Sequence, residues 1–373
     1  MKYPALFIGI ILCSGMCNAF AQKNSVPQPD SITRKYKSIS DFSEGFAVVV
    51  NEIGHYRFLN KKMEEVFDST YDVPLGFSEG LACVCIGGYK CGYIDSVGKL
   101  QIPCKYPWFS AFKEGLAVVG LDDPGRFGYM DHTGKVVIPF EFQYATSFCE
   151  NRAKVAKNNR VGFIDHNGKL VIDYKYSDAG EFREGRALVT YQDQKIGYID
   201  TNGNETTPMR FSFGTPFSGG VAIVGKYVVE DHTNKRLSGV IDKYGKIVVP
   251  LEYDFIDSFA LTDGTDTAVA LAGYDDKRYL IRRSGTITSV DANYYCNIDY
   301  RTKNLHVIYN EEKKGLADKY GKIIAPCIYN NIGLFHDGLA VIRYNDYIGY
   351  IDENGTVLKW FIKVHIDPKE KTK

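Results

Sequence analysis

Short apolar runs recur along this chain, and glycine or proline closes most of them. Residues 115–119 read Gly-Leu-Ala-Val-Val, and residues 135–139 read Lys-Val-Val-Ile-Pro. Runs of about five apolar and β-branched residues predict strands. No part of the cycle leaves room for an amphipathic helix. Both alternating faces of residues 116–119 are apolar, so we expect each strand to be covered on both sides by its neighbours.

A short motif, Phe-x-Glu-Gly-x-Ala, shows that these runs belong to a repeat. It begins at Phe42, Phe77, Phe112 and Phe182, and looser copies begin at Phe148, Phe217 and Phe335. From Phe42 to Phe217 the steps are 35, 35, 36, 34 and 35 residues. The relevant unit of length is therefore about 35 residues, which is typical of a tandem array.

A second motif, Gly-Tyr-Ile-Asp-x-x-Gly or a close variant, follows the first. An Asp side chain accepts hydrogen bonds from backbone N–H groups two residues on, and Gly supplies a positive φ, so this motif predicts a tight turn between two strands. An enzyme needs one site and not seven equivalent ones, so we interpret these carboxylates as structural. The turn residues are Asp95, Gly98, Asp131, Gly134, Asp165, Gly168, Asp200, Gly203, Asp242, Gly245, Asp318, Gly321, Asp352 and Gly355.

Each unit is predicted to be a three-stranded antiparallel sheet, and about nine units fill residues 38–362. Residues 50–70 and 257–312 keep the pattern only in part. A unit of about 35 residues cannot close a core by itself, so neighbouring units must stack. We expect an open all-β solenoid or superhelix. The alternative is a closed ring like a β-propeller, whose blades usually number about four to eight with four strands each.

Residues 1–21 resemble a cleavable export signal. Met1-Lys2 precedes an apolar run from Ala5 to Leu12, and Ala19-Phe-Ala21 offers small residues at the cleavage positions. The run is shorter than the roughly 20 residues of a membrane span. We expect periplasmic or extracellular location, with lipid anchoring at Cys13 or Cys17 as the less favoured alternative. Residues 22–37 are predicted to be a flexible linker and 363–373 a disordered charged tail.

The composition narrows the classes of partner. The chain has 373 residues, with 45 Lys+Arg against 45 Asp+Glu. A net charge of zero provides no field that attracts a polyanion, so a nucleic-acid partner is not expected. The excess of glycine and tyrosine, 36 and 27 residues, agrees with strands and turns.

The cycle resembles the WG (KWG) repeat, a β-rich repeat of bacterial proteins. The family pattern is similar to Lys-Trp-Gly-Tyr-Ile-Asp-x-x-Gly-Lys-x-Val-Ile-Pro followed by Tyr-Asp and Phe-x-Glu-Gly-x-Ala. This chain keeps the basic residue and the Gly at Lys90-Cys-Gly92 and Lys195-Ile-Gly197, but the Trp position holds Cys, Phe, Val, Ile, Ser or Lys. The resemblance covers about residues 40–360 and implies an array that binds or scaffolds, without a shared reaction, cofactor or metal.

Cysteines and histidines are the candidates for a disulfide, a metal site or a catalytic role. Cys83, Cys85 and Cys91 fall in one unit, where they either fill core positions or include one disulfide. His132 and His166 follow the turn Asp in consecutive units, which would suit a metal only if both turn tips met. We expect no catalytic residue and no metal.

The aromatic residues carry the binding hypotheses. Tyr93, Tyr129 and Tyr198 recur in register, which fits either a repeated core layer or a ladder along an open groove. Trp108 breaks the register, so it is the strongest candidate for an exposed aromatic. We expect an exported, non-enzymatic protein-binding or scaffold module. The alternative is a carbohydrate or cell-wall binder that stacks sugars on these four side chains. The oligomeric state is left open.

Overall fold

The computed structural model describes residues 35–71, 75–87, 90–121, 126–207, 211–230, 233–257, 259, 269–274, 277–290, 299–302, 305–310, 312–318 and 322–363. The predicted export signal, most of the linker and nearly all of the tail lie outside these residues. Strands dominate the described part of the chain, and no helix occurs in it. The all-β prediction is confirmed.

The strands of the first half of the chain are β1 (Lys35–Ile39), β2 (Phe46–Asn51), β3 (Tyr56–Asn60), β4 (Glu65–Tyr71), β5 (Phe77–Ser78), β6 (Leu81–Ile86), β7 (Lys90–Asp95), β8 (Leu100–Tyr106), β9 (Trp108–Phe109), β10 (Leu116–Gly120), β11 (Phe127–Asp131), β12 (Val136–Phe142), β13 (Tyr144–Ala145), β14 (Ala153–Lys157), β15 (Arg160–Ile164), β16 (Leu170–Tyr176), β17 (Asp178–Ala179), β18 (Arg186–Thr190) and β19 (Ile196–Asp200).

The strands of the second half are β20 (Phe213–Gly214), β21 (Val221–Glu230), β22 (Thr233–Asp242), β23 (Ile247–Tyr253), β24 (Phe255–Ile256), β25 (Val269–Tyr274), β26 (Lys277–Arg282), β27 (Ile287–Val290), β28 (Asp299–Thr302), β29 (Leu305–Asn310), β30 (Lys313–Asp318), β31 (Ile323–Tyr329), β32 (Asn331–His336), β33 (Leu339–Tyr344), β34 (Tyr347–Asp352) and β35 (Val357–Lys363).

The described strands fall into nine consecutive groups, as the repeat count predicts. Most groups have four strands, so the prediction of three was wrong. The extra strand is a two-residue segment such as β9, which follows Pro107 and pairs antiparallel with β10. Two residues are too few to show a hydrophobic period, so the sequence pattern did not reveal this strand.

Two compact units make up the described chain, and residues 42–296 form the larger one. Here the sheets share apolar clusters, since Leu116, Val118 and Tyr129 of one sheet pack with Phe148 and Val155 of the next. The inner strand β10 is buried on both faces, as expected for a strand without a polar face. The third strand, β12, instead alternates between buried and exposed residues, so the expectation of full burial was wrong for this strand.

The smaller unit combines residues up to 41 with residues from 297 onward. Strand β1 pairs in parallel with β35, with Lys35 opposite Ile362. Tyr36 is buried, and its ring lies 4.9 Å from that of Phe361, edge to face. The predicted linker therefore ends before Lys35, because these residues add a strand to the last sheet.

A carboxylate contact joins consecutive sheets of the larger unit. In the Phe-x-Glu-Gly turn, Glu114 and Gly115 have φ values of 53° and 84°, and the Glu conformation costs about 1–2 kcal/mol. The Glu of one turn accepts hydrogen bonds from the next turn. Glu150 Oε1 and Oε2 accept from the N–H groups of Glu184 and Gly185, each at 2.7 Å. Equivalent bonds extend from Glu44, Glu79, Glu114 and Glu184.

Replacing Glu150 by Gln tests this contact. A Gln side chain presents an NH₂ group to one of two backbone donors, so we expect a loss of about 1–2 kcal/mol in the free energy of unfolding. Urea unfolding measures the loss. Glu141→Gln is the matched control, because Glu141 makes only a surface ion pair with Lys157 at 3.8 Å, worth about 0–1 kcal/mol. Equal stability of the two variants would contradict the proposed role of the turn carboxylate.

Candidate binding surface

The carboxylates of the turn aspartates accept hydrogen bonds from the backbone of their own turns. Asp131 Oδ1 accepts hydrogen bonds from the N–H groups of Thr133 and Lys135 at 2.9 and 3.1 Å. Asp318 accepts from the N–H of Lys322, and Gly321 lies outside the described residues. The same N–H contacts occur at Asp95, Asp165, Asp200, Asp242 and Asp352, and positive φ values occur at Gly98, Gly134, Gly168, Gly203, Gly245 and Gly355.

The tyrosines proposed as a ligand-stacking ladder are buried. Tyr93, Tyr129 and Tyr198 are each at most 1% exposed, so the prediction of an exposed ladder was wrong. Each hydroxyl donates to a backbone carbonyl 17 residues further on, at Ser110, Thr146 and Thr215 respectively. Burial also raises the pKa of all three phenols. These side chains form a core layer that connects one sheet to the start of the next.

Trp108 is exposed, with 57% of its surface accessible. It is the first residue of β9, whose second residue, Phe109, packs against a core cluster. Successive strand residues face opposite sides, so Trp108 must face away from that core. Gly120 lies opposite Trp108, and a Cβ there would come within 2.8 Å of the Trp108 Cβ. The glycine therefore gives the indole room to lie beside Phe127, at 6.2 Å between ring centroids.

Tyr144 occupies the same position in the following sheet, at the start of β13, and is 49% exposed. The Lys154 ammonium lies 5.4 Å from the centre of its ring. Lys154 also forms an ion pair with Asp178 at 3.2 Å, and Asp178 begins the next short strand, β17. Exposed aromatic residues thus lie at one repeat position in two consecutive sheets, and Tyr144 lies beside the Lys154–Asp178 ion pair. We call Trp108, Tyr144, Lys154 and Asp178 the aromatic surface.

Each of the two histidines at the turn tips contacts a nearby phenylalanine and a nearby glutamate. His132 stacks on Phe112 at 4.2 Å and lies 3.3 Å from Glu79. His166 stacks on Phe148 at 4.1 Å and lies 3.3 Å from Glu114. Since each imidazole faces a different Glu, they do not share a site. Among the described residues, no group of three or more His, Cys, Asp or Glu is placed to hold a metal.

One disulfide joins Cys85 to Cys91, which are directly opposite each other on β6 and β7. This is one of the pairings that the sequence left open. Burial raises the pKa of the Cys83 thiol, so its nucleophilic thiolate form is suppressed. Cys149 is half-buried and donates to the carbonyl of Phe182, and burial raises its pKa as well. These two thiols suit packing better than reaction chemistry.

A family model described as "WG containing repeat" matches residues 31–52, 56–89, 92–123, 127–160, 162–195, 196–227, 239–265 and 315–347. These stretches cover more than half of the chain. The chain belongs to the WG repeat family. No curated protein matches it in sequence.

Three solved structures show a distant likeness, each at 13% identity. BamB from Moraxella catarrhalis aligns with a TM-score of 0.35 over 68% of this chain and 83% of its own. The WD40 β-propeller domain of Doa1 gives 0.28 over 71% and 96%. A streptogramin B lyase gives 0.33 over 84% and 92%. Scores this low assign none of those proteins' properties to this WG repeat chain.

One WG repeat differs from the others in a way that sequence analysis missed. Strands β21 and β22 have ten residues each, whereas the corresponding strands of the other described repeats have five or six. The signal was present in the spacing, since Gly220 and Gly239 are 19 positions apart and Gly185 and Gly197 are 12 apart. The extra length exposes Tyr227 and Val229, at 58% and 74%.

Among the described residues, no helix has the length and apolarity that crossing a membrane requires.

The stability supplied by a turn aspartate should depend on pH. The Thr133 hydroxyl donates to Asp131 at 2.6 Å and is the main reason that the pKa of this carboxyl lies below its ordinary value. A pKa lowered by folding stabilises the protein above the unfolded pKa of about 3.9, and this stabilisation disappears as the pH falls through the folded pKa. Solvent screens a carboxyl at the surface, so Asp131→Ala should cost no more than about 1 kcal/mol at pH 7 and progressively less below about pH 4.

Thermal unfolding between pH 2 and 7 measures this difference. Asp173→Ala is the control, since Asp173 is exposed on a strand and lies outside the turns. A stability difference between wild type and Asp131→Ala that stays constant across this pH range would show that the carboxylate charge plays no part.

Proposed function

We propose that this WG repeat chain is an exported, non-enzymatic module that binds a protein partner through the aromatic surface. The observation that carries the proposal is the exposure of Trp108 and Tyr144 at equivalent positions of consecutive sheets. Tryptophan and tyrosine are enriched among the residues that dominate protein–protein binding energy. The exposed carboxylate of Asp178, held by Lys154, supplies a polar group of the kind that surrounds such residues in protein interfaces.

The proposal that the module is non-enzymatic is supported by the uses already found for its reactive side chains. The turn carboxylates hold backbone N–H groups, and the histidines stack on phenylalanines. Catalysis needs nucleophiles and bases that reach a substrate and have a suitable pKa, and the raised pKa of Cys83 disfavours its reactive form.

Export is supported by residues 1–21 and agrees with the Cys85–Cys91 disulfide, because disulfides persist mainly in oxidising compartments. We propose periplasmic or extracellular location after signal cleavage, and anchoring through Cys13 or Cys17 is the alternative.

The binding proposal is tested with the mature chain, residues 22–373, immobilised and exposed to a cell-envelope extract of the source organism. A captured protein is then purified and titrated by calorimetry. We expect Trp108→Ala and Tyr144→Ala each to weaken binding about 10- to 30-fold, the range of strong interface residues. Tyr244→Ala is the control, because Tyr244 is an exposed aromatic on a turn tip. A partner that binds wild type and the double variant Trp108→Ala/Tyr144→Ala equally would refute the proposed surface.

A second candidate function is carbohydrate binding, which the exposed indole of Trp108 favours because flat aromatic rings stack on sugars. Co-sedimentation with purified peptidoglycan separates the two functions. If peptidoglycan retains the wild-type chain but not Trp108→Ala, the carbohydrate-binding hypothesis is supported. If peptidoglycan retains neither, that hypothesis is wrong and the protein-partner proposal stands.

Export is tested by expressing the full chain and sequencing the N-terminus of the product recovered outside the cytoplasm. We expect the product to begin at Gln22. A chain that stays in the cytoplasm and begins at Met1 would overturn the export proposal. A product that begins at a lipid-modified Cys13 or Cys17 would show anchoring instead.

A further inference from the structure

The outer part of the hairpin β21–β22 is a two-stranded ribbon. The register between the strands is continuous from Val221 opposite Asp242 to Glu230 opposite Thr233. On its other side, β21 pairs with β20 only at Val224 and Gly225. Beyond Gly225, β22 is the one strand of the described residues that pairs with β21. An isolated two-stranded hairpin is only marginally stable in water, so this edge is suited to accept a further strand.

The backbone groups that face this open edge can be identified. The carbonyls of Ile223 and Gly225 accept hydrogen bonds from Thr215 and Ser212, so the odd-numbered residues of β21 point away from β22. The register of β21 with β22 shows no bulge, and backbone groups alternate in direction along a strand. The N–H and C=O groups of Tyr227 and Val229 therefore face outward at the edge.

The side chains beside this edge are apolar on one face. Tyr227 and Val229 share that face and are mostly exposed. Arg236, directly opposite Tyr227 on β22, lies on the same face, and its guanidinium is 4.2 Å from the Phe213 ring centre. The Phe213 ring is also 5.4 Å from Tyr227. The base of the ribbon is thus fixed by packing, which holds the edge in a defined orientation.

The sequence of this edge is complementary to itself. Residues 226–230 read Lys-Tyr-Val-Val-Glu. If a second copy pairs antiparallel about Val228, Lys226 lies opposite Glu230 of the other copy and Tyr227 lies opposite Val229. The outward N–H and C=O groups of Tyr227 and Val229 then meet as hydrogen-bonded pairs, whereas those of Val228 face their own β22. Opposite charges and apolar residues in directly opposed positions stabilise antiparallel pairs.

We propose that two copies of this chain associate through the β21 edge, forming one four-stranded sheet from two β21–β22 hairpins. The pairing is antiparallel and centred on Val228. This interface lies on a different strand group from the aromatic surface and does not rest on the proposed function. The paired segment is only five residues long in each copy, and small interfaces are typical of weak association, so the dimer is expected at high protein concentration, on the order of 10–500 µM.

The experiment is sedimentation velocity on the mature chain, residues 22–373, over that concentration range. Wild type should shift from monomer to dimer. Lys226→Glu and Glu230→Lys each place like charges opposite one another, so each should weaken dimerisation at least about 10-fold. The double variant Lys226→Glu/Glu230→Lys should dimerise like wild type. An equimolar mixture of the two single variants should also dimerise, because each supplies the charge that the other lacks.

Two further variants keep the test independent of folding defects. Lys99→Glu changes the same charge on an exposed turn of another sheet and should leave dimerisation unchanged. Tyr227→Pro removes one outward N–H without removing a donor to β22 and should abolish dimerisation with unchanged far-ultraviolet circular dichroism. A wild-type monomer at all concentrations overturns the proposal. A dimer that both charge reversals leave intact, or that the double variant does not restore, overturns it too.

Discussion

The fold depends on contacts between sheets, because a sheet of a few short strands cannot bury both of its faces. In the larger unit the Glu150 carboxylate holds the N–H groups of the next turn, and the Tyr129 hydroxyl holds a carbonyl 17 residues further on. Both contacts extend forward along the chain to the next repeat. Each unit must therefore return its donors and acceptors to the same positions, and the longer strands β21 and β22 are compatible with this because their extra residues lie in a hairpin beyond these contacts.

The ends of the series of Glu and Tyr contacts show the same dependence of each sheet on its neighbour. Glu184 holds the N–H groups of Gly219 and Gly220, but Gly219 has no carboxylate to continue the series. The Arg283 guanidinium packs against Gly219 and leaves no space for a Cβ there. In the smaller unit, Tyr350 donates its hydroxyl to the carbonyl of Ser40, 310 positions away. Ser40 precedes Phe42 as Thr146 precedes Phe148, so the start of the chain provides the acceptor that a following repeat would provide.

The features that depend on short, regular motifs could be predicted from the sequence. The strands, the number of repeats and the Asp–Gly turns follow from spacing and from the chemistry of two residues. Features that depend on which way a side chain faces could not be predicted from the sequence. The regular spacing of Tyr93 fits both a core layer and an exposed ladder, and only the structure shows that Tyr93 is buried. The pairing of Cys85 with Cys91 and not Cys83 required the register of β6 and β7. Residues 35–37 of β1 resemble linker in sequence because they are polar apart from Tyr36, and the partner strand β35 lies at the other end of the chain.

The division between buried and exposed positions explains where binding can evolve in such an array. Core positions are constrained twice, by their own sheet and by the next, so they keep Tyr or Phe from repeat to repeat. The first residues of β9 and β13 are exposed and differ between these two repeats, as Trp108 and Tyr144. A change at such an exposed position alters the surface with little effect on the buried contacts between sheets. The longer strands β21 and β22 likewise add surface residues that lie beyond the last contact between sheets. Specific binding by this chain is therefore expected at positions where the repeats differ, and stability at positions where they agree.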